Sequence, residues 1–274
     1  MTTTSNPILC HECGAELREG SNFCPNCGHQ VADEVEVLFP DKNLEAAVLE
    51  TFERPEGPLT RGDLKRLVRL DAGGAQIEGL TGVEHAVNLT HLNLYDNEIT
   101  DVSPLASLTN LTELDLERNQ VSDVSLLDSL TNLTELGLNN NQISDVSPLA
   151  SLTELTTLGL SSNQISDVSP LASLTNLTEL NLRKNQINDV SPLASLTNLT
   201  SLGLRWNRIS DVSPLASLTN LTELWLDEQL IDKSPLASLP NLEKLNNKTF
   251  VREDFISAEP EESSEDPEGA GSKE

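Results

Sequence analysis

A leucine repeat with a period of 22 residues constrains this sequence more than any other feature. Leu67 precedes the regular series by one period, and Leu242 follows it after 21 residues. One unit cannot bury its apolar face alone, so a fixed period in this range predicts a stacked solenoid. A solenoid offers a long binding face and little catalytic machinery. The regular series consists of Leu89, Leu111, Leu133, Leu155, Leu177, Leu199 and Leu221.

The unit 177–198 shows two patterns in succession. Residues 178–182 alternate polar and apolar with period two, which predicts a short strand with inward leucines. Stacked units would pair these strands into a parallel sheet. The return half opens at Ser191-Pro192, where serine suits a helix N-cap and proline the first helical position. Asp189 precedes it, where a negative charge is favoured near a helix start.

An asparagine follows the strand in six units. Its side chain is expected to hydrogen-bond buried backbone groups that side-by-side strands leave unpaired. Because buried polar groups need partners, we interpret these residues as structural. They are Asn97, Asn119, Asn141, Asn163, Asn185 and Asn207.

The pattern L-x-x-L-x-L-x-x-N, followed by D-V-S-P-L-x-x-L-T-N, resembles the leucine-rich repeat family and its internalin-like group in bacteria and archaea. Residues 80–84 are similar to an opening repeat of that group, and the resemblance covers residues 67–246. It implies an α/β solenoid, a leucine-rich repeat horseshoe with a parallel concave sheet and short convex helical turns, that binds protein. Internalins proper are secreted adhesins. This sequence shows no signal peptide and no wall anchor, so we expect a cytoplasmic location.

Exposed solenoid ends need caps. Asp41 is expected to cap a helix that runs to about Phe52, and Thr60 with Asp63 indicates a second helix start with a capping box. These features predict a helical N-terminal cap over residues 41–66.

The sequence after the repeats predicts a C-terminal cap over residues 247–256 and a disordered acidic tail over residues 257–274. The tail is rich in Glu, Ser, Pro and Gly. A docking role for it stays open beside a solubilising role. The side chains expected to close the last repeat are Phe250, Val251, Phe255 and Ile256.

Two CxxC pairs lie in the first 30 residues, and each is followed by glycine. This spacing predicts a zinc ribbon over residues 1–30 with one structural Zn²⁺ held by four thiolates. Disulfides are disfavoured without a secretory signal, and a redox pair would need a thioredoxin-like unit. His11 and His29 stand beside the cysteines and could replace one of them. The predicted ligands are Cys10, Cys13, Cys24 and Cys27.

Residues 31–40 join the predicted ribbon to the solenoid. We interpret them as a linker, with a docked strand as the alternative.

The charge balance bears on partners and environment. The chain has 44 acidic and 17 basic residues, a formal net charge of −27. Phosphate binding needs clustered Lys and Arg, so nucleic acid is disfavoured, and association of the ribbon with nucleic acid or the transcription machinery is the alternative function. Many acids and few lysines suggest a high-salt cytoplasm, as in a halophile, where salt screens self-repulsion. No apolar run is long enough to span a membrane.

Both tryptophans of the chain stand in the last repeats among basic residues. Trp and Arg are frequent interface anchors, so this region is the candidate partner-binding site. The structural alternative is a stabilising cation–aromatic pair, Trp206 with Lys184 or Trp225 with Arg205. The candidate residues are Arg183, Lys184, Arg205, Trp206, Arg208 and Trp225, and their charge predicts an acidic surface on the partner.

No catalytic motif stands out in the sequence. There are four histidines, no nucleophile motif and no phosphate-binding glycine loop. We therefore expect a non-enzymatic, monomeric interaction scaffold that binds a protein partner on the concave repeat face.

Overall fold

The predicted solenoid is present. The computed structural model describes residues 10, 12–17, 23–28, 32–54, 56–228 and 232–251. Within these residues one sheet holds ten strands in chain order: β1 (Arg69–Asp71), β2 (His91–Asn93), β3 (Glu113–Asp115), β4 (Glu135–Gly137), β5 (Thr157–Gly159), β6 (Glu179–Asn181), β7 (Ser201–Gly203), β8 (Glu223–Trp225), β9 (Lys244–Leu245) and β10 (Lys248–Thr249). Pairing is parallel from β1 to β9, and β10 is antiparallel to β9.

The strands pair in register with the repeat. Leu158 of β5 lies opposite Leu180 of β6, one period later, and both are buried. Side chains alternate between the two faces of a strand, so the flanking residues of each strand face the concave side.

The asparagine ladder confirms the structural role predicted for these residues. The carboxamide nitrogen of Asn141 donates to the carbonyls of Leu116 at 2.9 Å and Leu138 at 3.2 Å. Its oxygen accepts from the amide of Val121 at 2.9 Å. Each such side chain therefore joins neighbouring units through groups that have no strand partner. The same contacts recur at Asn97, Asn119, Asn163, Asn185 and Asn207.

Short 3₁₀ helices form the convex side. The prediction that serine caps them is wrong. In the unit of Ser191 the amide of that serine donates to Asp189 Oδ1 at 2.8 Å, and no side chain caps from the position before the helix. The helix begins at the serine itself, so the acceptor comes from the aspartate two residues earlier. The helices are Ser103–Ser107, Ser125–Ser129, Ser147–Ser151, Ser169–Ser173, Ser191–Ser195, Ser213–Ser217 and Ser234–Ser238.

Helix α1 (Lys42–Thr51) covers the N-terminal end of the solenoid. Asp41 accepts from the first amides of the helix through Oδ1 and from the amides of Glu78 and Gly79 through Oδ2, at 2.7 and 3.0 Å. One carboxylate therefore both caps the helix and ties it to the first repeat. The buried face of α1 consists of Leu44 and Val48.

Helix α2 (Arg61–Lys65) begins at a capping box. The Thr60 hydroxyl accepts from the Asp63 amide at 3.2 Å, and the Asp63 carboxylate accepts from the Thr60 amide at 3.0 Å. Among the described residues, no helix is both long and apolar enough to cross a membrane.

The linker predicted over residues 31–40 requires correction. Val37 and Phe39 are buried in the solenoid core, and the amide of Val37 donates to the Leu59 carbonyl at 2.7 Å. Glu36 forms an antiparallel bridge with Thr60. Alternate apolar side chains give this segment one buried face, so its second half docks on the cap through one isolated β-bridge, outside the ten-stranded sheet.

At the C-terminal end, β9 and β10 form a hairpin, and Phe250 packs against the core. Val251 is 45% exposed, so the prediction that it closes the last repeat is wrong. Phe255, Ile256 and the tail 257–274 lie outside the described residues, as do His11 and His29.

Candidate functional site

The four cysteines of the N-terminal module lie together. Their sulfur atoms all lie within 4.8 Å of one another, with Cys10 Sγ 3.6 Å from Cys27 Sγ and Cys13 Sγ 3.5 Å from Cys24 Sγ. Tetrahedral zinc with Zn–S distances of ~2.3 Å needs sulfurs roughly 3.8 Å apart. The arrangement therefore fits one Zn²⁺ with four thiolate ligands. Four thiolates leave no open position for a substrate, so such an ion is structural.

Two matching turns place these ligands. Gly14 and Gly28 follow the pairs with φ of 68° and 75°, a backbone conformation that glycine adopts without strain. Each glycine amide donates to the carbonyl of the first cysteine of its pair, at 2.7 and 2.9 Å. The Asn26 carboxamide donates to Cys13 Sγ at 3.5 Å, and this contact, with hydrogen bonds from the Ala15 amide and the neighbouring cysteines, lowers the pKa of the Cys13 thiol to about 6. A thiol that is readily deprotonated favours metal binding near neutral pH.

A groove runs along the concave face from Arg69 on β1 to Trp225 on β8. Carboxylates line most of its length, and an arginine stands near each end, Arg69 on β1 and Arg183 after β6. The groove is therefore acidic along its middle, and its C-terminal end differs from its N-terminal end in adding Trp225 to the arginine. Its carboxylates belong to Asp71, Glu113, Asp115, Glu117, Glu135 and Glu179.

Crowding affects the acidic part of the groove. Burial and the neighbouring Asp115 carboxylate raise the pKa of Glu117, against the donor Asn139 that lowers it. His91 Nε2 lies 2.9 Å from Glu113 Oε1. The first half of the groove thus holds more negative charge than its own cations balance.

Arg183 follows β6, and its guanidinium lies 4.4 Å from the ring centroid of Trp225 on β8, two strands further along the sheet. Gly203 of β7, between them, makes this reach possible, since a Cβ there would lie 3.0 Å from Arg183 Nε. The predicted pair of Trp225 with Arg205 is wrong, because Arg205 lies over Trp206 instead, at 4.9 Å.

Trp206 is an exposed aromatic residue next to the groove. It is 51% exposed and has a φ of 61°, the left-handed conformation that Lys184 and the residues at the same place in earlier units also adopt. Its amide donates to the Asp227 carboxylate at 2.9 and 3.1 Å, where earlier units use a backbone carbonyl. Lys184 Nζ lies 5.3 Å from its ring, so the predicted pair of Trp206 with Lys184 is present. With Arg205, the ring has two cations beside it.

The six candidate residues therefore occupy two adjoining places. Arg183 and Trp225 line the groove, whereas Lys184, Arg205 and Trp206 cluster where the strands end, and the exposed Arg208 follows in the same loop. We name this set of six residues the basic-aromatic patch.

The ion pairs of the described residues do not include the cations of the patch. Within the described part of the chain, none of the four has a carboxylate oxygen within 4.0 Å. The covered Nε atoms of Arg183 and Arg205 have no acceptor either. Of the ten other described Lys and Arg residues, six have a carboxylate within that distance, namely Lys42, Arg54, Lys65, Arg66, Lys244 and Lys248, and four do not, namely Arg61, Arg69, Arg118 and Lys233. The patch differs from these four in bringing its cations together around two tryptophan rings.

Three further residues shape the patch that the sequence patterns did not single out. Gly203 leaves the space that Arg183 fills, Asp227 fixes the backbone of Trp206, and Asn247 accepts from the Trp225 indole at 3.2 Å. No distinctive sequence signal marks Gly203, because Gly137 of β4 and Gly159 of β5 stand at the same position of the repeat.

Comparison with known proteins identifies both parts of the chain. The profile of the family "Leucine Rich repeats (2 copies)" matches six overlapping segments between residues 87 and 238. A zinc-ribbon domain profile matches residues 9–31. Among curated protein sequences, none is significantly similar to the chain.

Solved internalin structures are similar over most of the chain. An internalin (inlF) of Listeria monocytogenes is 38% identical with a TM-score of 0.76, over 79% of this chain and 66% of its own. Internalin C2 (inlC2) of the same species is 44% identical with a TM-score of 0.73, over 76% of this chain and 93% of its own. The present chain therefore spans just under two thirds of the length of the inlF chain. With the repeat and sheet described above, these findings make the chain a member of the leucine-rich repeat family, in its internalin-like group, with an N-terminal zinc ribbon.

Proposed function

We propose that this protein is a non-enzymatic interaction scaffold that binds a protein partner on the concave face of its solenoid. The observation that carries the proposal is the basic-aromatic patch at the end of the concave groove. Tryptophan and arginine are the side chains most often found at the energetic centre of interfaces. The proposal also agrees with the general role of leucine-rich repeat proteins in binding other proteins.

The charge of the patch defines the partner. Among the described residues the four cations of the patch have no carboxylate oxygen within 4.0 Å, and they favour an acidic surface on the partner because complementary potentials steer association. The remaining groove is acidic, which favours a partner with basic groups further along the contact.

The zinc ribbon has a structural role in this proposal. Its described residues include Glu12 and Glu16 and no lysine or arginine, which gives phosphate no electrostatic attraction. Arg18 lies outside the described residues. Nothing here favours the alternative of nucleic-acid association.

Affinity capture from native lysate, read by quantitative mass spectrometry, tests the proposal. The wild type is compared with Trp206→Ala/Trp225→Ala and with Leu126→Ala, a control at an exposed apolar residue on the convex side. A protein retained by the wild type and the control, but lost from the double variant, supports concave binding. Equal retention by all three contradicts it. The cytoplasmic location, the monomeric state and the high-salt environment stay predictions.

A further inference from the structure

We propose that the acidic segment 257–274 of the chain occupies the basic-aromatic patch of the same molecule and competes there with the partner. The competition rests on the proposed function, whereas the docking does not. The segment would act as a tethered occupant that a partner has to displace.

Charge complementarity is the first support. Residues 257–274 contain seven carboxylate side chains and one lysine. Among the described residues none of the four cations of the patch has a carboxylate oxygen within 4.0 Å, although the chain as a whole has 44 acidic and 17 basic residues. A tethered polyanion has an effective concentration in the millimolar range, so weak contacts are enough to hold it.

The arrangement of prolines in the segment is the second support. Pro260 lies between Glu259 and Glu261, and Pro267 lies between Asp266 and Glu268. Each proline therefore has a carboxylate on both sides. Aromatic side chains form the grooves that receive proline-rich segments.

The patch offers the matching feature. Trp206 has cations from Lys184 and Arg205 beside its ring, and Trp225 has Arg183 over its face. A proline ring on the free part of either indole would place its flanking carboxylates near these cations. Trp206, 51% exposed, offers the larger free surface.

The chain length allows the contact. Strand β10 precedes Val251, and it is separated from β7 by three strand spacings, about 15 Å at ~4.8 Å each. The hairpin brings the chain back to the level of Ser201, because Thr249 pairs with Lys244, which is in register with Ser201 through Glu223. Trp206 lies five residues after Ser201, so the segment also has to pass up to about 16 Å along the strand direction, a direct separation of roughly 22 Å. Residues 252–259 span up to about 26 Å when extended, which reaches the patch.

Intrinsic fluorescence reports on the contact directly, because both tryptophans of the chain belong to the patch. The test compares acrylamide quenching of the full chain with that of a tail variant, Glu259→Gln/Glu261→Gln/Asp266→Asn/Glu268→Gln. The matched control neutralises four exposed acids outside the patch and the tail, Glu50→Gln/Glu53→Gln/Glu98→Gln/Glu154→Gln. The far-ultraviolet spectra of all three show that the solenoid is folded.

At low salt the quenching constant of the tail variant is expected to be about twofold higher than that of the wild type and the control, because a millimolar effective concentration keeps the patch covered. Salt at about 1 M should raise the quenching constant of the wild type to that of the tail variant, since the Debye length falls to ~3 Å and the attraction between tail and patch is screened. Equal quenching of wild type and tail variant at low salt would overturn the proposal. So would a difference that disappears on dilution, because the occupant would then be the tail of a second copy.

Partner binding separates this inference from the proposed function. A partner identified by capture should bind the tail variant more tightly than the wild type. If quenching is equal in the wild type and the tail variant while capture of the partner depends on the patch, the tail docking is contradicted and the proposed function stands. If quenching differs between the wild type and the tail variant but capture does not depend on the patch, the tail docking is supported. The competition with a partner and the proposed function are then both contradicted.

Discussion

Arg183 and Trp225 contact each other across an intervening strand, with the guanidinium 4.4 Å from the ring centroid. Strand β7 lies between them and presents Gly203 at the crossing point. The long aliphatic part of arginine covers apolar surface while its charge stays near water. The absence of one side chain therefore determines the shape of the candidate binding site.

We expect Gly203→Ala to displace Arg183 from Trp225 without unfolding the protein. The added Cβ would lie 3.0 Å from Arg183 Nε and from Asn181 Oδ1, both on flexible side chains. The free energy of unfolding should change by less than about 1 kcal/mol, as for alanine at a compatible glycine position. In a Trp206→Phe background, the near-ultraviolet circular dichroism of Trp225 should change clearly. Gly79→Ala is the control, because its Cβ meets nothing within 4 Å. An unchanged Trp225 signal would contradict this account.

Asn141→Ala should destabilise the solenoid far more than Asn132→Ala. The Asn141 side chain is buried and serves an amide and two carbonyls, whereas the exposed Asn132 donates to one carbonyl. Leaving buried backbone groups unpaired costs ~1–3 kcal/mol each, so we expect a loss of about 3 kcal/mol for Asn141 and below about 1 kcal/mol for Asn132. Urea unfolding measures both values. Similar losses would mean that the ladder is not a principal source of stability.

The zinc ribbon should bind one zinc ion and unfold without it, while the solenoid stays intact. Its small core of Cys10, Leu17 and Cys24 is a cluster separate from the solenoid core. A module of this size depends on its metal. Elemental analysis should give about one zinc per chain, and Cys24→Ser should abolish it with no change in the thermal midpoint of the repeats. A large drop in that midpoint would show that the ribbon supports the solenoid.

Glu117→Gln should stabilise the protein at pH 7 and lose this advantage in acid. Burial raises the pKa of Glu117, so the folded state favours its protonated form. Ionisation then opposes folding once the pH rises through the folded pKa, and glutamine avoids that penalty. Below the unfolded pKa of about 4.3 the wild-type side chain is neutral in both states, and the two proteins should be equally stable. Denaturant unfolding from pH 3 to 7 tests this. The exposed Glu154→Gln is the control, and an equal effect of the two substitutions would contradict the assignment.

The sequence predicts the features that repeat and misses the contacts that occur once. The 22-residue period determines the strand register and the role of Asn141, because every unit imposes the same constraint on its neighbour. The contact between Arg183 and Trp225 spans three strands, so no pattern within one unit reveals it. The left-handed backbone conformation of Trp206 recurs at Lys184 and in the earlier units, whereas the hydrogen bond from its amide to the Asp227 carboxylate, 21 residues later, occurs once.

The local errors have similar causes. Serine was expected to cap the convex helices, but a 3₁₀ helix that starts at the serine takes its acceptor from Asp189 and its equivalents. The segment around Val37 was predicted as a linker because its apolar alternation is short and acidic residues surround it. The four cysteines were predictable as a zinc site, since their spacing alone carries the ligand chemistry.

The most direct test of concave binding is oxidative footprinting of the protein with and without a captured partner. The measurement uses the tail variant Glu259→Gln/Glu261→Gln/Asp266→Asn/Glu268→Gln, in which the patch is uncovered, with the 51% exposed Trp206 as reporter and the exposed Leu126 marking the convex side. The account predicts that a saturating partner protects Trp206 and its neighbours in the patch and leaves Leu126 unprotected. Protection of Leu126 with unchanged oxidation of Trp206 would contradict concave binding.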